Sequence, residues 1–185
     1  MITSKYFIHV VLVLILCASA LAGCATAKPE GNPQIEAIDE IRTKLDLPDI
    51  PLEFVETAHM INSPDGDLEV ALYQDSEGHK YYVEPESNQV VEIDAREILS
   101  SISTDWAALP QVELSIKARK MMAATTPDFE TMETGLTYEE GNKGDNYFFT
   151  WRNDQEIGAL NRPFAQIAFH ASGVLFAYYN TLSLK

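Results

Sequence analysis

The chain has two thiols, Cys17 and Cys24. Cys24 follows Leu21, Ala22 and Gly23, a branched apolar residue and two small ones that close an apolar run beginning near Tyr6. Small residues at Ala18, Ala20, Ala22 and Gly23 leave an unbulky approach to a scissile bond. The chemistry such small residues suit is cleavage of the chain near them by a processing peptidase. Were the cut to fall before Cys24 and that thiol to be modified, Cys17 would leave with residues 1–23 and no free thiol would remain. Cysteine nucleophiles, thiolate metal sites, CxxC redox chemistry and disulfides are then excluded from the mature body. His59, His79 and His170 are the histidines beyond the apolar run, and no two stand at a metal-binding spacing. Asp65-Gly66-Asp67-Leu68-Glu69 presents oxygen ligands but lacks the full spacing of a calcium loop. Its Asp-Gly pair alone predicts a hairpin turn. Glu139 and Glu140 with Asp145 make a second acidic loop. The chain contains no GxSxG, no HExxH and no phosphate-binding glycine loop. No catalytic residue, metal or cofactor is assigned on these grounds.

Lys5 precedes the run Tyr6 to Ala20, which only His9 interrupts. About 15 apolar residues suit the hydrophobic region of a signal peptide and fall short of the roughly 20 needed to span a bilayer. Leu21-Ala22-Gly23-Cys24 resembles the lipobox of bacterial lipoproteins. The resemblance implies that Cys24 carries a thioether-linked diacylglycerol and becomes the first mature residue. Two acyl chains suffice for stable anchoring where one does not. Ala25 stands where an Asp would favour inner-membrane retention, so the resemblance implies an extracytoplasmic location, on the outer rather than the inner membrane of a two-membrane cell. An uncleaved anchor is the alternative.

The whole chain has a formal charge of −15. Loss of residues 1–23 removes one positive charge, Lys5, and takes it to −16. Such acidity opposes binding to nucleic acid or lying on an anionic lipid surface. Residues 25–32 (ATAKPEGN) read as a flexible tether. The expected organisation is a signal peptide over 1–23, a lipidated cysteine and tether over 24–33, and ordered units over 34–103 and 104–185.

Asn32-Pro33 opens a helix in which Ile35, Ile38, Ile41 and Leu45 recur at helical spacing. Strands are expected over 52–61, 68–72, 80–84 and 89–93, separated by turns at 62–67, 75–78 and 85–88. Residues 95–102 read as a helix. Residues 109–125 read as a long helix, apolar over so broad an arc that burial on more than one side is expected. Strands return at 129–138, 147–152, 163–170 and 174–180, with 139–146 an open polar loop. The fold class is α+β: helix plus antiparallel sheet, twice. The hairpins 82–93 (YVEPESNQVVEI) and 166–177 (QIAFHASGVLFA) align weakly, which favours a structural repeat. The alternative is a single α+β domain whose hairpins look alike.

The segment Phe164 to Tyr179, an apolar strand, a small-Gly turn and a second strand ending in tyrosine, resembles the PepSY family. Tyr147 to Arg152 (YFFTWR) resembles the aromatic strand ending in Trp of its YcdB-like branch. The resemblance covers about 75 C-terminal residues and extends weakly to 78–94, where Gln89 replaces the expected turn glycine. It implies two αββββ units, in tandem or fused, in a non-enzymatic extracytoplasmic domain. Some relatives restrain metallopeptidases. Tyr147, Phe149 and Trp151 share one strand face; core packing is the plain reading of that stripe, and a peptide-holding cleft the sharper one. The expected function is therefore protein or peptide binding at the envelope, the partner being an envelope protein or peptidase. The alternative is a small-ligand or divalent-cation binder using the loop around Asp65 and Asp67.

Overall fold

The computed structural model describes residues 31–60, 66–103, 105–155 and 162–184. Helix α1 runs Pro33–Leu45. Proline at its first position loses no hydrogen bond. Glu36 in the first turn and Arg42 and Lys44 in the last complement the helix dipole. Its buried stripe is Ile38, Ile41, Arg42 and Leu45. Asp46 adopts a left-handed φ of 57°. The amide of Leu47 then donates to the carbonyl of Arg42 (2.9 Å) and that of Asp46 to Thr43 (3.5 Å), closing the helix end.

Four strands follow: β1 Leu52–Met60, β2 Leu68–Asp75, β3 Lys80–Glu84 and β4 Gln89–Asp94. Residues 95–102 do not form an α-helix; Arg96–Ser101 is a 3-10 helix. Helix α2 is Gln111–Thr125, bounded by Pro110 and Pro127. A single turn of helix, α3 Phe129–Met132, leads through a 3-10 turn into β5 Thr137–Lys143. Then come β6 Asn146–Arg152, β7 Phe164–His170 and β8 Leu175–Asn180.

The fold is α+β, with an eight-stranded antiparallel sheet in the order β1-β2-β3-β4-β8-β7-β6-β5. β1–β4 and β5–β8 are each meanders. They meet where β4 pairs with β8 through Glu92↔Tyr179, Ile93↔Tyr178 and Asp94↔Ala177. One sheet face carries Tyr73, Tyr81, Val83, Phe149, Trp151, Ile167, Phe169 and Tyr178, packed under Ile38, Ile41 and Leu45 of α1 and Leu114, Ala118 and Met122 of α2. The opposite face bears a smaller cluster of Met60, Val70 and Val91, with Leu68, Tyr82, Tyr179 and Leu184 around it. These core side chains all lie within residues 33–184, so this segment carries its own core and folds as a unit.

Three further expectations need correction. Residues 129–136 are not strand: Phe129 turns inward to meet the Trp151 ring edge-on at 5.4 Å, and a helical turn is what brings it there. Residues 139–146 are not an open loop. They pair with β6 from Thr137↔Arg152 to Lys143↔Asn146, the backbone ladder winning over polar composition on an exposed edge strand. Helix α2 is buried on one side alone. Leu114, Ala118, Met121 and Met122 face the sheet, while Val112 and Ile116 are each 64% exposed. Its apolar arc is wider than the surface the sheet offers it.

Candidate functional site

Cys24 and Asp65 lie outside the described residues. Asp67 is exposed, and its carboxylate meets the His59 ring at 3.0 Å. Among the described residues no group of three or more His, Cys, Asp or Glu side chains is placed to hold a metal ion. The aromatic stripe is core. Phe149 and Trp151 are fully buried under α2 and Tyr147 is half-buried against the same cluster. Trp151 Nε1 donates to Glu133 (3.0 Å), which also receives Arg119 Nε (2.6 Å), so the indole is tied from beneath. Helix α2 packs over Phe149 and Trp151, and α3 brings Phe129 against the Trp151 ring.

The sheet ends in two unlike edges. β5 alternates Tyr138 and Glu140 toward α2. The Tyr138 hydroxyl donates to Glu140 (2.7 Å), and Gln111 and Ser115 of α2 donate to the same carboxylate at 2.6 and 2.9 Å. These bonds hold the Glu140 carboxyl below its ordinary pKa, while burial above all pushes the Tyr138 phenol up to about 12. With Glu139 and Lys143 beside it, this edge is pinned and charged.

β1 is different. It is nine residues long, and Phe54 and Val55 stand 58% and 47% exposed. The Phe54 ring meets Tyr73 edge-on at 5.6 Å. Pro51, Glu53, Phe54, Val55, Gln74, Asp75 and Ser76 line a groove of about 620 Å³ along this edge. A register shift between Phe54 and Glu56 adds twist at its centre.

Behind the groove lies a buried polar cluster that sequence reasoning missed. Asp75 Oδ1 accepts the backbone amides of Glu77 and His79, each at 3.0 Å. Its Oδ2 meets His79 Nδ1 at 2.8 Å, Arg42 Nη2 at 3.2 Å and the Tyr81 hydroxyl at 3.3 Å. Arg42 also donates through Nη1 to the carbonyl of Ile50 (2.7 Å), and its guanidinium lies 4.5 Å from the Tyr81 ring centre. Burial, more than any partner, pushes the Tyr81 phenol up to about 12. Helix α1 and the β2–β3 turn are thereby bolted to one carboxylate, and the segment entering β1 to the arginine that shares it. Removing one partner of such a buried pair leaves an uncompensated charge and costs on the order of 3–5 kcal/mol. The only sequence trace was Asp75 and His79 bracketing a turn, with Arg42 on an otherwise apolar helix stripe.

An Asp–His pair is also the orienting half of a catalytic triad. Here His79 is 1% exposed and its Nε2 has no hydrogen-bond partner among the described residues. The Asp75 carboxylate is shared with Arg42. The cluster positions backbone; it does not present a base to solvent.

No known protein family, curated protein or solved structure matches this chain.

Proposed function

We propose that this chain is a non-catalytic peptide- or protein-binding module of the bacterial envelope, anchored by a lipid on Cys24, and that its body is a pair of PepSY-like αββββ halves fused through β4 and β8. The binding element is β1. An open strand edge offers unpaired backbone donors and acceptors to an extended segment, which adds as a further strand. The observation that carries the reading is the exposure of Phe54 and Val55 on a nine-residue edge held rigid from behind by Arg42 and Asp75.

Charge selects the occupant. Glu53 and Glu56 lie on this edge of a chain with a formal charge of −15. A second copy is repelled, and a basic segment of an exported protein, a peptidase among the candidates, is attracted. On a two-membrane cell the outer membrane is the expected site.

The test uses residues 25–185 and a nine-residue peptide of alternating Lys and Val. Amide hydrogen exchange is followed residue by residue as peptide is added. Slowed exchange along β1, weakened about tenfold in Phe54→Lys, is the expected result. Protection of β5, or none on β1, overturns the placement. Phe54→Lys gives up the edge-on contact with Tyr73 but no fully buried group, so its unfolding midpoint should stay close to the parent's and confirm that the comparison is sound.

A further inference from the structure

We propose a second site, on the outer sheet face where β4 meets β8: it binds an arginine side chain of a partner protein, with Glu92 as the anion and Tyr82 and Tyr179 as flanking walls. The register brings these groups together. Tyr82 lies opposite Glu92 across β3–β4, Glu92 opposite Tyr179 across β4–β8, and Tyr179 opposite Gln166 across β8–β7. Side chains directly opposite in neighbouring strands have their Cβ atoms about 4.5–5.5 Å apart. A carboxylate is thus held between two phenols on a half-buried face. Phe164 stacks on Tyr179 at 4.5 Å and 16°, fixing that ring as a wall. Gln166 Nε2 donates to Thr150 Oγ1 (2.9 Å), leaving the amide oxygen as a further acceptor in the same row.

The missing component is a cation. Other acids on this face have theirs: Arg96 Nε donates to Asp94 at 2.8 Å beside it, and Arg152 Nη1 to Glu139 at 3.3 Å on the far edge strand. Lys80 also acts on Asp94, directly opposite it in β3. Among the described residues Glu92 has no hydrogen bond or ion pair. Burial first, and then the charge of Asp94, raise its pKa, with Arg96 only partly offsetting them. The neighbouring phenols respond to the same charge. Tyr179 is pushed up to about 12 and Tyr82 is raised, in both cases by burial first and Glu92 next. A guanidinium placed here would return to Glu92 the charge compensation it lacks.

Arginine fits better than lysine. Its planar fork pairs two oxygens of a carboxylate, its flat face lies against tyrosine rings, and it sheds water more easily than an ammonium. Tyr82, Glu92 and Tyr179 are each half-buried in the sheet face, so an arginine that projects from a protein surface can reach them. This site shares no residue with the β1 edge, and either proposal can fail alone.

The test is a titration of residues 25–185 with Nα-acetyl-arginine amide, followed by backbone amide and side-chain carboxyl NMR at constant ionic strength. Expected are saturable shifts confined to β3, β4 and β8, with a midpoint at least about fivefold weaker in Glu92→Gln. Nα-acetyl-lysine amide is the second arm. No saturable shift up to about 50 mM, or an unchanged midpoint in Glu92→Gln, overturns the site. Equal midpoints for the two probes overturn the choice of guanidinium. Tyr179→Phe, which keeps the ring, should retain binding; its loss there would show that the hydroxyl and not the aromatic wall does the holding, against the proposal.

Discussion

Glu92 is ionised at a cost, and the sign of that cost is testable. Its folded-state pKa is raised above the ordinary 4.5, so the folded chain takes up a proton more readily than the unfolded one. The charged form is therefore penalised at neutral pH, and the penalty fades as pH falls through the raised value toward 4.5. Asp94, two residues on in β4 and ion-paired with Arg96, has the opposite sign. Its pKa is lowered, chiefly by the Arg96 side chain, so its contribution is present above the ordinary 3.8 and lost as pH falls through the lowered value. Glu92→Gln should then be more stable than the parent at neutral pH, with the gap closing on acidification. Urea midpoints at several pH values check this. A gap that stays constant, or a loss of stability at neutral pH, contradicts it. A half-buried carboxylate whose charged form burial penalises is where binding and folding make different demands.

Single elements show how local chemistry and packing divide the work. The C-terminus of α1 has the hydrogen bonds of a glycine-closed helix, but Asp46 occupies the left-handed position at φ 57°. Asp46→Gly should stabilise the chain by about 0.5–1 kcal/mol, read as a higher denaturant midpoint at unchanged slope. An unchanged or lower midpoint would show that the exposed Asp46 side chain contributes more than its strained backbone costs. Helix α2 makes the converse point. Its apolar arc was legible, but which part of the arc is buried was not, because the sheet beneath covers only the side of Leu114 and Ala118 and leaves Val112 and Ile116 in solvent. The edge strands differ for a similar reason. β5 is tied to α2 by Tyr138 and Glu140, whereas β1 keeps Phe54 and Val55 exposed.

At the scale of the molecule, the two meanders share a sheet and a core. Side chains from α1 and β2–β4 and from α2 and β6–β8 belong to one continuous apolar cluster. Asn180, at the end of β8, donates to Thr126, just past α2, at 2.9 Å, and Gln89 of β4 donates to the Asn180 carbonyl at 3.2 Å. Such a body should unfold in one step. Calorimetry of residues 25–185 should give one peak whose van't Hoff and calorimetric enthalpies agree. Two separated transitions would mean that the β4–β8 junction joins halves with independent stability.

Local sequence determined what depends on near neighbours. The 3.6-residue period placed α1, a broad apolar arc ended by Pro127 placed α2, and alternation, strand-forming residues and turns placed β2, β3, β4 and β6. Tertiary structure decided everything that depends on partners far away in the chain. It turned Phe129 inward beneath α2, paired the polar 139–143 segment because β6 supplied a ladder, and buried Phe149 and Trp151 because two helices cover that face. It also brought Arg42 to Asp75 across 33 residues and Glu92 to Tyr179 across the central junction. Composition cannot disclose such pairs, because a carboxylate alone in the sequence carries no sign of whether a cation, a tyrosine or open water will stand beside it once the sheet has closed.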